Sequence, residues 1–201
     1  MADPKIMLVG AVQSLFEAAM YIFVLQWPPA ISGVVANAFG GSGTPYGTVF
    51  SCFMASCLLG STIFGQLVKR NVPTETFTST MLLVATVAMG VAAWISASTT
   101  AVAMPLAALV GAFFAFEGCV GMYFPSIGTL RSKYVPDSHR SVIMNLFGIP
   151  LNALVVSVFL SIKRLGVSGA LSISTGALAL ASLSMLKLKS IAAGESETAT
   201  A

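Results

Sequence analysis

Six apolar stretches, each long enough to cross a bilayer, follow one another along this chain and leave little sequence outside them. Crossing about 30 Å of hydrocarbon as a helix takes about 20 mostly apolar residues. The stretches at 6–27, 46–68, 77–98, 102–123, 141–162 and 167–187 meet that length. Backbone amides in hydrocarbon find no water, so a segment of this kind must satisfy them internally as a helix. The expected fold is therefore an all-α polytopic membrane protein, with six transmembrane helices in a domain over 1–190 and a small, polar, disordered tail over 191–201. Composition agrees, since 8% of the residues are charged, against about a quarter in soluble chains. The first stretch exceeds the roughly 7 to 15 apolar residues of a signal-peptide core and holds Gln13 and Glu17, so it reads as the first span.

Charge then sets orientation. Lys5, Lys69, Arg70, Arg131, Lys133, Arg140, Lys187 and Lys189 fall on one side of the six spans, and only Lys163 and Arg164 fall on the other. Basic loops stay inside, so both termini are expected in the cytoplasm, with the plasma membrane favoured over an internal one. The net charge of +3 thus reports topology, and no nucleic-acid partner follows from it. The uncharged segment 28–45 reads as a flexible loop on the far side; its glycines lack the Gly-Lys-Ser/Thr ending of a phosphate cradle. The short connection near 97–100 makes the third and fourth spans antiparallel neighbours. Cys52, Cys57 and Cys119 lie inside spans without metal-ligand spacing, so neither a metal nor a cofactor is expected. Intramembrane hydrolysis needs a nucleophile with its base, or paired histidines on a metal, and a single His argues against an enzyme.

Two carboxylates, Glu17 and Glu117, stand near the middle of apolar stretches. An ionised group at that depth costs about 2.5 to 3.5 kcal/mol even on lenient insertion scales, so it persists for a partner or a task. Gln13 and Glu17 are four residues apart and share one helical face, which Met20 and Tyr21 extend. That face reads as a cavity wall, or else Glu17 is a structural carboxylate hydrogen-bonded to a neighbouring helix. Glu117 lies among Phe113, Phe114 and Phe116, with Pro125 expected to end or kink its helix; proton carrier and ion-pair member are both open. Asn145 and Asn152 are seven apart, on one face of the fifth span, where they either line a pore or bond to another helix. Arg131, Lys133, Asp137, His139 and Arg140 form a basic cluster in the preceding loop which, with Lys69 and Arg70, is either topogenic or a gate. No internal repeat is legible by eye.

Several long strings resemble the molybdate-anion transporter family of the major facilitator superfamily. They are Asp3-Pro-Lys-Ile with Val9-Gly-Ala-Val-Gln-Ser-Leu-Phe-Glu-Ala-Ala-Met-Tyr21, then Phe116-Glu-Gly-Cys-Val-Gly-Met-Tyr-Phe-Pro125 running on through Gly128-Thr-Leu-Arg-Ser-Lys-Tyr134, and Arg140-Ser-Val-Ile-Met-Asn-Leu-Phe147 with Ile149-Pro-Leu-Asn152. Gly65-Gln-Leu-Val-Lys-Arg70 is similar to the superfamily's loop motif between helices eight and nine. The resemblance covers residues 3 to 165 and implies that the six spans correspond to helices seven to twelve, the C-terminal half of a twelve-span molecule. It also implies alternating-access transport of molybdate or a similar oxyanion, with Gln13, Glu17, Glu117, Asn145 and Asn152 as pathway or coupling residues. The partner would be a second six-helix half or another copy of the chain. Gly148 departs from the pattern, standing where the family has a basic residue, and no Lys or Arg falls near mid-membrane to bind a dianion. A transport-incompetent paralogue that associates with a full-length partner, or a transporter of another small solute such as a sugar, stays open beside this.

Overall fold

The computed structural model describes residues 3–39, 43–98, 103–136 and 140–198. Its elements are α1 (Pro4–Phe39), α2 (Tyr46–Lys69), α3 (Thr74–Ala97), α4 (Ala103–Tyr134), α5 (Arg140–Leu160) and α6 (Ile162–Thr198), with no strand among the described residues. Five of these helices are long and apolar enough to span a membrane; in α5 the apolar part, Asn145–Leu160, falls short of that length. The expected all-α polytopic class holds, with the fifth segment the weakest of the six.

Three boundaries differ from the sequence reading. α1 continues through Pro28 and Pro29 to Phe39, so most of the expected loop at 28–45 is helix. Each proline removes one backbone donor, yet Trp27, Ala30 and Ile31 are buried in the core and hold the turn in place. α4 likewise runs through Pro125 to Tyr134. That puts Arg131 and Lys133 on its last turn and not in a loop; Asp137 and His139 lie outside the described residues. The expected disordered tail is helical as far as Thr198, half-buried at Ile191 and Ala192 and pinned by an ion pair between Glu195 and Lys5. The turn between the last two spans falls where expected, because Gly166 takes φ 65° and interrupts the helical path.

α1, α3, α4 and α6 form the body of the bundle. α3 packs on α6 and α4, α1 packs on α6 and α4, α2 leans on α4, and α5 leans on α1. α5 also touches α6 and α1 touches α3, contacts that the remaining helix pairs do not match. At the centre of the bundle sit four fully buried rings: Phe16 and Phe23 on α1, Phe116 and Tyr123 on α4. Phe16 stacks on Phe116 with centroids 5.9 Å apart. Phe16 meets Tyr123 at 4.0 Å in a stacked pair, and Phe116 meets Phe23 at 4.9 Å in a tilted one. Pairs of this kind add about 0.5–1.5 kcal/mol each beyond their burial.

The outer helices dock through small residues, as helices must where lipid offers no hydrophobic drive to associate. A Cβ on Gly60 of α2 would overlap the carbonyl of Gly118, and one on Gly121 of α4 would overlap that of Cys57. Ser56 Oγ donates to the Phe114 carbonyl at 2.7 Å across the same contact. On the other side Gly10 of α1 lies under the ring of Phe147, and Ser14 Oγ donates to the Phe147 carbonyl at 2.6 Å.

Candidate functional site

Where α1 crosses α4, each helix carries the dipeptide Phe-Glu, at 16–17 and at 116–117. The surroundings of Glu17 and Glu117 differ. Glu17 is half-buried, and its Oε1 accepts a hydrogen bond from the Tyr123 hydroxyl at 3.0 Å. Glu117 is 6% exposed and makes no hydrogen bond or ion pair among the described residues.

Gln13, one turn before Glu17, is 8% exposed, and its Oε1 has no hydrogen-bond partner among the described residues. Its neighbours on the expected stripe diverge from it. Met20 is half-buried and Tyr21 is 49% exposed, so the face that sequence spacing joins into one wall passes from the interior to the surface. The structural alternative for Glu17, a bond to a neighbouring helix, is the contact that Tyr123 makes.

Asn145 and Asn152 share a face of α5 as their spacing requires, and that face is exposed. Phe147, Leu151 and Val158 are buried, while the Asn152 Nδ2 donates back to the Gly148 carbonyl of its own helix at 2.8 Å. The expected bond from Asn152 to another helix is therefore replaced by one within α5. Both asparagines look out from the six-helix body.

The basic residues expected as a gate separate into four groups. Lys69 and Arg70 are exposed at the end of α2, where the turn is closed by Asn71 at φ 56°. Arg131 Nε donates to the Ile127 carbonyl at 3.3 Å, along its own helix. Arg140 opens α5, and its side chain lies outside the described residues. Lys133 reaches a carboxylate that sequence reasoning passed over: its Nζ lies 2.6 Å from Glu75 Oε1, which also accepts from Tyr134 at 2.7 Å. Glu75 stands in the first turn of α3, where a negative charge also suits the helix dipole. Lys5 lies 6.0 Å from the Tyr134 ring centroid and pairs with Glu195, so one end of the bundle joins α1, α3, α4 and α6 in a single polar network. An acidic residue just before one span and a Lys-Tyr pair just after the next were the available signal.

No group of three or more His, Cys, Asp or Glu side chains among the described residues is placed to hold a metal ion. The arrangement is that of a polar thread inside an apolar bundle. It can hold a proton at a carboxylate, and neither central glutamate forms an ion pair with a Lys or Arg among the described residues.

A family model described as sugar transporters with twelve transmembrane segments matches residues 1–124. A molybdate-anion transporter of Takifugu rubripes is 30% identical over 77% of this chain and 30% of its own length. One from Danio rerio is 31% identical over 77% of the chain and 30% of its own length, and one from Xenopus tropicalis 28% over 76% and 32%. The chain thus spans about a third of the length of these curated relatives. No solved structure matches. Since the family model takes in more than half of the sequence, the chain belongs to the major facilitator family that includes the molybdate-anion transporters.

Proposed function

We propose that this chain provides one six-helix half of a secondary transporter for molybdate or a similar oxyanion, working by alternating access against a second six-helix body. The observation that carries the reading is the similarity to molybdate-anion transporters over three quarters of the chain. The polar side chains support it. Asn145 and Asn152 face outward from α5, where a second body would meet them, and exposure of amides to acyl chains is unfavourable. The second body is another copy of this chain or a separate half, and it supplies the cations that a tetrahedral dianion requires. Glu17 and Glu117 serve coupling or pair with those cations, because an ionised carboxylate repels the cargo. The uneven distribution of Lys and Arg supports cytoplasmic termini.

Uptake of labelled molybdate into cells lacking their own transporter tests the proposal, with the chain expressed alone and beside a full-length relative. Uptake above vector that falls in Glu17→Gln or Glu117→Gln is expected. Absence of uptake under both conditions, with the protein present in the membrane, would leave association with a full-length partner as the function. Uptake of a labelled sugar in place of molybdate would move the substrate class.

A further inference from the structure

We infer that the groove between α2, α3 and α4 holds an acyl chain of an anionic phospholipid, whose headgroup is bound by Lys69 and Arg70. The inference goes beyond the transporter reading and does not depend on transport. α2 and α3 both pack on α4 and leave a gap between them, which Phe64 and Phe77 bridge by an edge-on ring contact at 5.5 Å. The gap is a groove of about 580 Å³, to which α4 contributes the small side chains Ala115 and Cys119 and the bare backbone of Gly118.

The length of the groove selects among occupants. Its lining on α2 runs from Ser56 to Leu67, about 16 Å at 1.5 Å per residue. That is about half of the ~30 Å of hydrocarbon, so the groove spans one leaflet. A partner helix crossing the bilayer would need a seat about twice as long, whereas a lipid chain ends at mid-membrane. The groove's hydroxyls are already engaged: Ser56 Oγ donates to the Phe114 carbonyl and Thr80 Oγ1 to the Thr76 carbonyl. What remains to be met is apolar surface.

The charge at its mouth selects the headgroup. On α2 the lining positions Ser56, Gly60, Ile63 and Leu67 continue at helical spacing to Arg70, and on α4 Gly118 and Met122 continue to Lys133. Lys133 is paired with Glu75, which cancels the acidic charge there. Lys69 and Arg70 are exposed and form no ion pair among the described residues. An apolar slot one leaflet deep beneath two such cations complements a lipid with a negative headgroup. A second groove, of about 410 Å³, lies between α3 and α4 toward their connection and is lined by Val87 and Val91. No Lys or Arg occurs between residues 83 and 115, so neither helix gives that groove a cation with which to discriminate.

Native mass spectrometry of the purified full chain, released from vesicles of equal phosphatidylglycerol and phosphatidylcholine, tests the assignment. One phosphatidylglycerol per chain should stay bound, with a preference of about twentyfold over phosphatidylcholine, since each cation near the surface is worth about fivefold. Arg70→Gln should lower the preference about fivefold, and the further change Lys69→Gln should bring it near parity. Thr80→Phe fills the groove while keeping both cations and should remove the bound lipid. Val87→Phe, in the other groove, should leave retention unchanged. Circular dichroism confirms that each variant is folded.

Equal retention of the two lipids by the unaltered chain would overturn the inference, because the groove would then be ordinary lipid-facing surface. Retention that survives Thr80→Phe would overturn it too, since the headgroup would be binding without its chain in the groove. So would an equal loss in Val87→Phe. A dimer that Thr80→Phe dissolves would put a second copy of the chain in the groove in place of lipid. Each result is read without transport, so absence of molybdate uptake leaves the lipid site standing.

Discussion

The two outer helices, α2 and α5, each lean on one helix of the body, yet they are seated differently. α2 meets α4 backbone to backbone, with Gly60 against the Gly118 carbonyl and Gly121 against that of Cys57. α5 meets α1 through a side chain, the Phe147 ring lying over Gly10. A carbonyl held in a helix cannot step aside, whereas a ring can turn about its χ angles. The difference teaches that α2 and α4 behave as one rigid piece, while α5 keeps an adjustable seat on α1. The exposed asparagines of α5 are on the adjustable side.

Substitutions at the glycines break that comparison most directly. Gly60→Ala or Gly121→Ala should destabilise the bundle by about 3 kcal/mol or more, read as loss of folded protein in a denaturing-detergent titration, because no neighbour can yield. Gly10→Ala should cost about 1 kcal/mol in the same assay, and adding Phe147→Leu should recover most of it. If the double variant recovers nothing, the α1–α5 seat is as rigid as the other. The serines sharpen the contrast on a finer scale. Ser56→Ala and Ser14→Ala each remove one interhelical hydrogen bond, and each should cost about 0.6 kcal/mol, the usual size of such bonds between membrane helices. A much larger loss at Ser14 would show that α5 depends on that one bond.

Much of this architecture was legible from hydropathy, because a bilayer leaves the chain few alternatives to helices of a given length. The break before the sixth span was legible for the same reason. Pro28, Pro29 and Pro125 misled, since proline marks a helix end unless burial of its neighbours holds the turn, and burial is not written locally. The site was less accessible. Asn145 and Asn152 are seven residues apart, which places them on one face but not on a particular one. Glu17 and Glu117 are legible as unusual residues, one hundred positions apart behind a phenylalanine each, yet the crossing of their helices emerges only from which rings touch. Glu75 was missed because its partners, Lys133 and Tyr134, come from the end of another helix and depend on tertiary contact.

Gly166 has a mechanical consequence. Its φ of 65° with ψ of −179° belongs to a region that only glycine enters freely, so the direction in which the rest of α6 leaves is set at that one residue. Residues 167–198 then extend for about 48 Å at 1.5 Å per residue, and a swing of about 10° at the glycine would carry the far end about 8 Å. A displacement of that size would pull Glu195 away from Lys5. Packing on α1 and α3 along its length, together with that ion pair at its far end, holds the sixth helix against such a swing.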